Sequence, residues 1–325
     1  MTMISIAERI PDEASAYAYL EELRWGDTPE CPHCGNTERC YFLNPANGKS
    51  RATRTGAQSE RRVWKCGACR KQFSVITNTI MHGTKIPVRT WVFVIFEMCS
   101  NKNGVAAREI ERRYGMTPRS AWHMTHRIRE AMTEDGLDIW STTVVADETF
   151  IGGKEANKHA HQRQEVGGGV GGKIPVLTLI NTETGKARSR VIPDVTAATL
   201  EKAIADQVRM NWSVLYTDEA RAYQKIGRKF AQHHTVNHSE GEYVRKIPGR
   251  TVTTNRAENF FSQLKRSLDG THHHVSREHL HRYLAEFDYR YSTRDETDAE
   301  RMERLVGQVG GKRLAYRPLA TSRAS

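Results

Sequence analysis

Two cysteine pairs restrict the N-terminal part of the chain more than any other sequence feature. Cys31-Pro32-His33-Cys34-Gly35 and Cys66-Gly67-Ala68-Cys69 each place two thiols on one tight turn. Two such turns supply the four sulfur ligands that a tetrahedral Zn²⁺ ion prefers, whereas a redox dithiol is the alternative. We therefore predict a zinc ribbon that binds one structural Zn²⁺ through Cys31, Cys34, Cys66 and Cys69.

The interval between the pairs is longer than the roughly 15 to 20 residues of a common zinc ribbon. Residues 44–60 are polar and basic, so we interpret them as an excursion from the ribbon hairpin. Four arginines in and after it either contact phosphate or are simply solvated: Arg51, Arg54, Arg61 and Arg62. Cys40 and Cys99 have no partner at ligand spacing and are expected to be free thiols.

Charge and hydropathy indicate the class of partner. The chain has 325 residues, enough for two or three domains, and its net charge of +11 favours an anionic partner such as nucleic acid. Its first residues do not resemble a signal peptide, and no run approaches the roughly 18 apolar residues of a membrane helix. We expect a cytoplasmic protein without membrane contact, associated with the nucleoid when it binds DNA.

Residues 85–140 have helical spacing. Pro87 is placed to begin one helix, Val105 to Tyr114 form a second, and Thr117 can cap a third after the turn at Gly115. This order predicts a helix-turn-helix-like DNA-binding segment, with a plain helical bundle as the alternative. The third helix is expected to bury Ala121, Trp122, Thr125 and Ile128. It is expected to expose Arg119, Ser120, His123, His126, Arg127 and Arg129.

Three carboxylates lie at the ends of predicted elements. The apolar run Val144-Val145-Ala146 precedes Asp147, and Val214-Leu215-Tyr216-Thr217 precedes Asp218. Glu258 lies in the first turn of a predicted helix. Strand-end charges of this kind are often only solvated, but three of them in one domain suggest a metal site.

The segment around these carboxylates predicts strand, hairpin, helix, strand and helix, which gives a mixed sheet flanked by helices. Glu258 and Lys265 lie about 20° apart on the last helix, so they either share a cleft or form a surface ion pair. The glycine-rich segment at 154–172 is expected to be a flexible connection. We interpret the histidines at 272–274, 279 and 281 as a basic turn and helix start instead of a metal site.

The ordered motifs resemble those of bacterial insertion-sequence transposases of the DDE class, in the group with an N-terminal zinc ribbon and an RNase H-like catalytic domain. They are Cys-Pro-His-Cys-Gly, Cys-Gly-Ala-Cys-Arg-Lys-Gln-Phe-Ser, Asp-Glu-Thr-Phe-Ile-Gly-Gly-Lys, Thr-Asp-Glu, Val-Asn-His-Ser-x-Gly-Glu-Tyr-Val and Thr-Asn-x-x-Glu-Asn-Phe-Phe-Ser-x-Leu-Lys-Arg. The resemblance extends from about Arg24 to Arg294. His238 fits the pattern without an assigned role.

The resemblance implies that Asp147, Asp218 and Glu258 are catalytic ligands of two Mg²⁺ or Mn²⁺ ions, with Lys265 as a basic catalytic partner. Some relatives are thought to use asparagine in place of the last acid, which leaves Asn255 as an alternative to Glu258. The implied activity is binding of terminal inverted repeats, metal-dependent cleavage of double-stranded DNA and strand transfer into target DNA, by a homodimer or higher homo-oligomer. The alternatives are a DNA-binding regulator with an inactive catalytic domain, and a metal-dependent nuclease without strand transfer.

The expected fold class is multidomain α+β. It comprises an N-terminal helix and zinc ribbon (1–84), a helix-turn-helix-like segment (85–140), an RNase H-like α/β catalytic domain with a mixed sheet (141–294), and a polar, flexible tail (295–325).

Overall fold

A computed structural model describes residues 2–43, 51–52, 58–59, 61–134, 138–153, 172–242 and 244–315. The chain divides into two compact units. The first contains residues 1–101, 105–132 and 296–325, and the second contains residues 102–104 and 133–295. Most of the predicted excursion at 44–60 and the glycine-rich segment at 154–171 lie outside the described residues. No helix in the described ranges is long and apolar enough to cross a membrane.

The first unit combines short strands with helices. Its strands are β1 (Cys40–Phe42), β2 (Arg51–Ala52), β3 (Gln58–Ser59), β4 (Trp64–Cys66) and β5 (Gln72–Phe73). Its helices are α1 (Met3–Arg9), α2 (Glu13–Trp25), α3 (Val88–Ser100), α4 (Ala107–Tyr114), α5 (Pro118–Ala131) and α10 (Asp298–Gly307). The antiparallel order β1-β4-β5 forms the ribbon sheet, so the predicted zinc ribbon is confirmed as a fold.

The turn between α4 and α5 follows the sequence closely. Gly115 ends α4 with φ +61°, a left-handed conformation that glycine adopts at low cost. The Thr117 hydroxyl then accepts a hydrogen bond from the Ser120 backbone N–H and caps α5.

The prediction that α5 exposes its basic face is wrong for three of its residues. Arg119 is exposed, but His126, Arg127 and Arg129 are buried. The guanidinium of Arg127 lies over the ring of Trp91, 5.2 Å from its centroid, and donates to the His82 carbonyl oxygen at 2.8 Å. Arginine stems are apolar enough to pack in this way, so a basic residue does not by itself mark a solvent-facing surface.

The predicted flexible tail is also wrong over part of its length, because residues 298–307 form α10. Thr297 and Glu300 form a capping box at its start. Met302, Leu305 and Val306 are buried, and α10 packs against α2 and α3. The apolar face of α10 contains only these three residues, so the charged residues around it conceal the helical pattern in the sequence.

The second unit is built on one five-stranded sheet. Its strands are β6 (Thr143–Ile151), β7 (Ile174–Asn181), β8 (Ala187–Val191), β9 (Val214–Thr217) and β10 (Gln232–Thr235). A hairpin of β11 (Val244–Ile247) and β12 (Arg250–Thr253) follows. The helices are α6 (Ala197–Ala205), α7 (Arg221–Gly227), α8 (Asn255–Ser267) and α9 (Arg277–Ser292).

The strand order is β10-β9-β6-β7-β8, with β6 in the centre. β6, β7 and β8 pair antiparallel in sequence, whereas β9 is parallel to β6 and β10 is parallel to β9. This is the order and direction of an RNase H-like sheet, so the predicted fold with a mixed sheet is confirmed.

Alternation along β6 separates two cores. Val145 faces the core formed with α8 and α9, which contains Phe260, Leu264 and Phe287. Val144 and Ala146 face the core formed with α6 and α7. Asp147 has the same parity as Val145 and therefore belongs to the α8 face, whereas Glu148 belongs to the α7 face.

The sequence patterns did not indicate strand β10 or helix α7. β10 reads Gln-His-His-Thr and lacks the apolar alternation that indicates a strand. α7 is only seven residues long. The two pack closely, because a Cβ on Gly227 would lie 2.0 Å from His233 Nδ1.

Candidate active site and metal centre

The four predicted zinc ligands converge in the first unit. Their sulfur atoms all lie within 4.8 Å of one another, with 3.7 Å between Cys31 and Cys69 and 3.7 Å between Cys34 and Cys66. Tetrahedral Zn–S bonds of about 2.3 Å require sulfur separations of about 3.8 Å. The cysteine geometry is therefore close to that of a tetrahedral Zn²⁺ site.

Backbone N–H groups shape this cluster. The N–H of Cys69 donates to Cys66 Sγ at 3.5 Å and lowers the pKa of Cys66 to about 6. Burial has the opposite effect on Cys31 and raises the pKa of its thiol to about 12. Four thiols so close together cannot all ionise unless a cation compensates their charge, which is the role of a bound metal.

The remaining cysteines lie outside this cluster. Cys40 pairs with Cys66 across the β1–β4 ladder, but its Sγ donates to the Asn36 carbonyl oxygen at 3.3 Å. Cys99 is buried in α3 and, like the other five cysteines, forms no disulfide. Within the described ranges, the four ribbon cysteines are the one group of Cys, His, Asp or Glu side chains whose ligand atoms lie this close together. Neither the clustered histidines nor Asp147, Asp218 and Glu258 form such a compact group.

The second unit brings the two predicted catalytic aspartates to one level of the sheet. β6 and β9 are parallel, with Val145 opposite Tyr216. Two residues farther along each chain, Asp147 therefore lies level with Asp218. The Oδ1 of Asp147 accepts a hydrogen bond from the Glu148 N–H at 2.8 Å, and the Oδ1 of Asp218 accepts one from the Ala220 N–H at 3.0 Å.

Glu258 comes from a third element. It lies in the first turn of α8, is exposed, and is carried by a helix that packs against β6. Burial raises the pKa of Asp147 to about 7, and the carboxyl groups of Glu148, Asp218 and Glu258 contribute to the increase. The three predicted acids are thus close enough to interact electrostatically.

The chemistry of this acidic set fits a divalent cation. Carboxylate oxygens are the preferred ligands of Mg²⁺ and Mn²⁺. Burial and, to a smaller extent, repulsion from the neighbouring carboxylates raise the pKa of Asp147, and a bound cation would offset both effects.

Other predicted residues lie around the acids. Lys265 is exposed in the last turn of α8. Asn255 is the first residue of α8, and its backbone N–H donates to Thr253 Oγ1 at 3.1 Å. His238 lies in a short 3₁₀ turn after β10.

Glu148 is a half-buried acid that the motif analysis did not single out. It faces α7, where burial raises its pKa to about 7. Burial and the adjacent Glu148 raise the pKa of Tyr223 well above its ordinary value. The strand alternation could have indicated this, because Asp147 and Glu148 must point to opposite faces of β6.

Comparison with known proteins identifies the family. Residues 140–292 match the model of the ISXO2-like transposase domain, and residues 11–72 match the transposase zinc-ribbon domain. The chain therefore belongs to the insertion-sequence DDE transposases that carry an N-terminal zinc ribbon. It is accordingly a polynucleotidyl transferase that acts on DNA, uses divalent metal and contains a zinc site.

Solved structures give weaker similarity. The catalytic core domain of BIV integrase aligns with a TM-score of 0.29 and 17% identity, covering 45% of this chain and 82% of that chain. A simian T-cell lymphotropic virus intasome in complex with PP2A regulatory subunit B56 gamma aligns with a TM-score of 0.27 and 14% identity, covering 55% of this chain and 63% of that chain. No curated protein matches the chain.

Proposed function

We propose that Asp147, Asp218 and Glu258 together hold two Mg²⁺ or Mn²⁺ ions and form the catalytic centre of the transposase. The observation that carries this proposal is the parallel pairing of β6 with β9, which brings Asp147 level with Asp218, while α8, which bears Glu258, packs against β6. The chemistry supplied by two such ions is stabilisation of the attacking and leaving oxygens in an in-line phosphoryl displacement.

The chain's own residues fix the geometry of this centre. The Glu148 N–H orients the carboxylate of Asp147, and the Ala220 N–H orients that of Asp218. Glu258 closes the set from α8, and Lys265, two turns along the same helix, is placed to contact a DNA phosphate.

The proposed reaction has two displacements at one site. Water first attacks the phosphodiester at the transposon end, breaks the bond to the 3′ oxygen and leaves a 3′-hydroxyl. That hydroxyl then attacks a phosphodiester of target DNA, forms the new bond and releases the target's own 3′-hydroxyl. Asp147, Asp218 and Glu258 serve both steps without a covalent intermediate on the protein.

The first unit is proposed to bind the terminal inverted repeats through the ribbon and the α4–α5 segment. Two transposon ends then require at least a homodimer, assembled on DNA at the nucleoid. Arg119, exposed near the start of α5, is available for phosphate contact in this arrangement.

A strand-transfer assay tests the proposal. Wild-type protein is incubated with DNA that carries the element's own ends, a target plasmid, and Mg²⁺ or Mn²⁺. Asp147→Asn, Asp218→Asn and Glu258→Gln should each abolish joined product while retaining binding to the ends. Asp295→Asn is the matched control, because this side chain is 89% exposed and lies outside the acidic set.

Each alternative function predicts a different result. A regulator binds the ends but gives neither cleavage nor joining in the wild type. A nuclease cleaves but forms no joined product. Normal joining by Glu258→Gln, with loss in Asn255→Ala, would move the third position to Asn255.

A further inference from the structure

A cavity on the catalytic face of the second unit has no role in the mechanism above. Its volume is about 510 Å³, and its wall includes Thr143 and Val145 of β6, Tyr216 of β9, and two arginines. None of the three proposed catalytic acids lines it. It is therefore a separate space beside the acidic set.

Its two arginines come from different elements. Arg250 is the first residue of β12, directly after the Pro248-Gly249 turn, where Gly249 has φ +72°. Arg256 is the second residue of α8. The hairpin and the helix thus deliver one guanidinium each to the same cavity.

Each guanidinium is held through one nitrogen. Arg256 Nη1 donates to the Thr182 carbonyl oxygen at 2.7 Å, and Arg250 Nη1 donates to Gln232 Oε1 at 3.3 Å. Both arginines are exposed, and neither forms a salt bridge with a carboxylate in the part of the chain that the structure describes. The exposed Glu183 is the one carboxylate among the lining residues, so the cavity carries a net positive charge.

The cavity and the catalytic acid Asp147 lie at different positions along the same strand, β6. Thr143, Val145 and Asp147 have the same parity on β6 and lie on one face. At about 3.3 Å per residue, Asp147 is roughly 7 Å along the strand from Val145 and roughly 13 Å from Thr143. DNA rises about 3.4 Å per step along one strand. Successive phosphates of one strand are farther apart than this rise, so the cavity lies at most about four nucleotide steps from a phosphate held at Asp147.

We infer that this cavity binds a backbone phosphate of the DNA substrate, within about four nucleotides of the scissile phosphate, through Arg250 and Arg256. Guanidinium groups present paired N–H donors that match phosphate oxygens, and Thr251 and Thr253 line the same wall. Such a contact fixes how far the DNA end extends past the catalytic acids. The inference rests on the proposed function, since it takes Asp147 as the position of the scissile phosphate.

Methylphosphonate interference tests this contact. Each phosphate from one to eight steps on either side of the cleavage position is replaced in turn by an uncharged methylphosphonate, and binding is measured by fluorescence anisotropy. In the wild type, replacement at one position within about four steps of the cleavage position should weaken binding about tenfold, as expected for loss of an exposed charge-assisted contact. Binding by Arg250→Ala/Arg256→Ala should be weaker on unmodified DNA and insensitive to that replacement.

Matched variants separate this contact from general charge and from folding. Arg228→Ala removes an exposed arginine at the end of α7, which packs on the opposite face of the sheet, and should retain the wild-type interference pattern. Arg250→Lys/Arg256→Lys keeps both charges and should restore sensitivity at the same positions. The double alanine variant should also lower the salt dependence of binding by about one unit of slope, because one phosphate contact is lost.

An interference pattern that is unchanged in the double alanine variant would overturn the inference. So would a wild-type pattern with no sensitivity within about four steps of the cleavage position. Binding is measured separately from joining, so the two proposals can fail independently. Loss of interference in the variant without joined product in the wild type would support the cavity and refute strand transfer.

Discussion

The carboxyl group of Asp288 offers a test of how the catalytic sheet is held together. Asp288 lies in α9 and accepts two hydrogen bonds from Ser189 of β8, at 2.7 Å from the backbone N–H and 2.7 Å from the hydroxyl. The Ser189 hydroxyl also lies 2.9 Å from Thr178 Oγ1 on β7. Burial raises the pKa of Asp288 to about 7, so substitution by asparagine should change how stability depends on pH.

The sign and size follow from the two pKa values of this group. In the unfolded chain an aspartate has a pKa of about 3.9, so the native state retains a proton that the unfolded state has released between about pH 4 and 7. The free energy of unfolding therefore falls as pH rises through this window, by roughly 1.4 kcal/mol per pH unit and by at most about 4 kcal/mol in total. Residual solvent contact of Asp288 reduces this figure.

Asparagine has the shape and hydrogen-bonding capacity of the protonated acid but does not titrate. Urea unfolding of the zinc-loaded protein at pH 5, 6, 7 and 8 should show Asp288→Asn gaining stability over the wild type by a few kcal/mol between pH 5 and 8. Other titrating groups are common to both proteins and cancel in the difference. Asp206→Asn, a change at an exposed ion pair with Arg190, should remain parallel to the wild type. Parallel pH profiles for wild type and Asp288→Asn would refute this reasoning.

Two further changes test the ribbon and the packing of the sheet. Purified protein should contain one Zn²⁺ per chain by elemental analysis, and Cys66→Ser should lose it. Cys40→Ser should keep the ion, because Cys40 Sγ contacts Asn36 and lies outside the cluster. Equal zinc content in both variants would contradict the ligand set. Gly227→Ala should lower the free energy of unfolding by about 1 to 3 kcal/mol, since its Cβ would overlap His233. His233→Ala in the same chain should recover part of that loss, and no recovery would point to a backbone effect instead.

The features that could be predicted from the sequence are those with local spacing. The C-x-x-C pairs predict a zinc ribbon because two tight turns with two thiols each supply the four ligands of a tetrahedral Zn²⁺ site. Asp147 and Asp218 each follow an apolar run, and parallel pairing of those runs is enough to place them level in the sheet. Capping residues such as Thr117 define helix starts in the same local way.

The features that could not be predicted depend on packing between distant segments. The burial of Arg127 depends on Trp91, which lies 36 positions earlier in the sequence. The polar strand β10 exists because its backbone pairs with β9, which its side chains do not reveal. The cavity with Arg250 and Arg256 requires β6, β9 and the β11–β12 hairpin to meet, and no single stretch of sequence carries that information.

The central claim is that Asp147, Asp218 and Glu258 form one metal centre. Titration of the zinc-loaded protein with Mn²⁺, followed by electron paramagnetic resonance of the free ion, measures this directly. We expect the wild type and Asp295→Asn to bind Mn²⁺ equally, and Asp147→Asn, Asp218→Asn and Glu258→Gln each to lose most of that binding. Unchanged Mn²⁺ binding in Asp147→Asn and Asp218→Asn would show that these carboxylates do not form the metal centre.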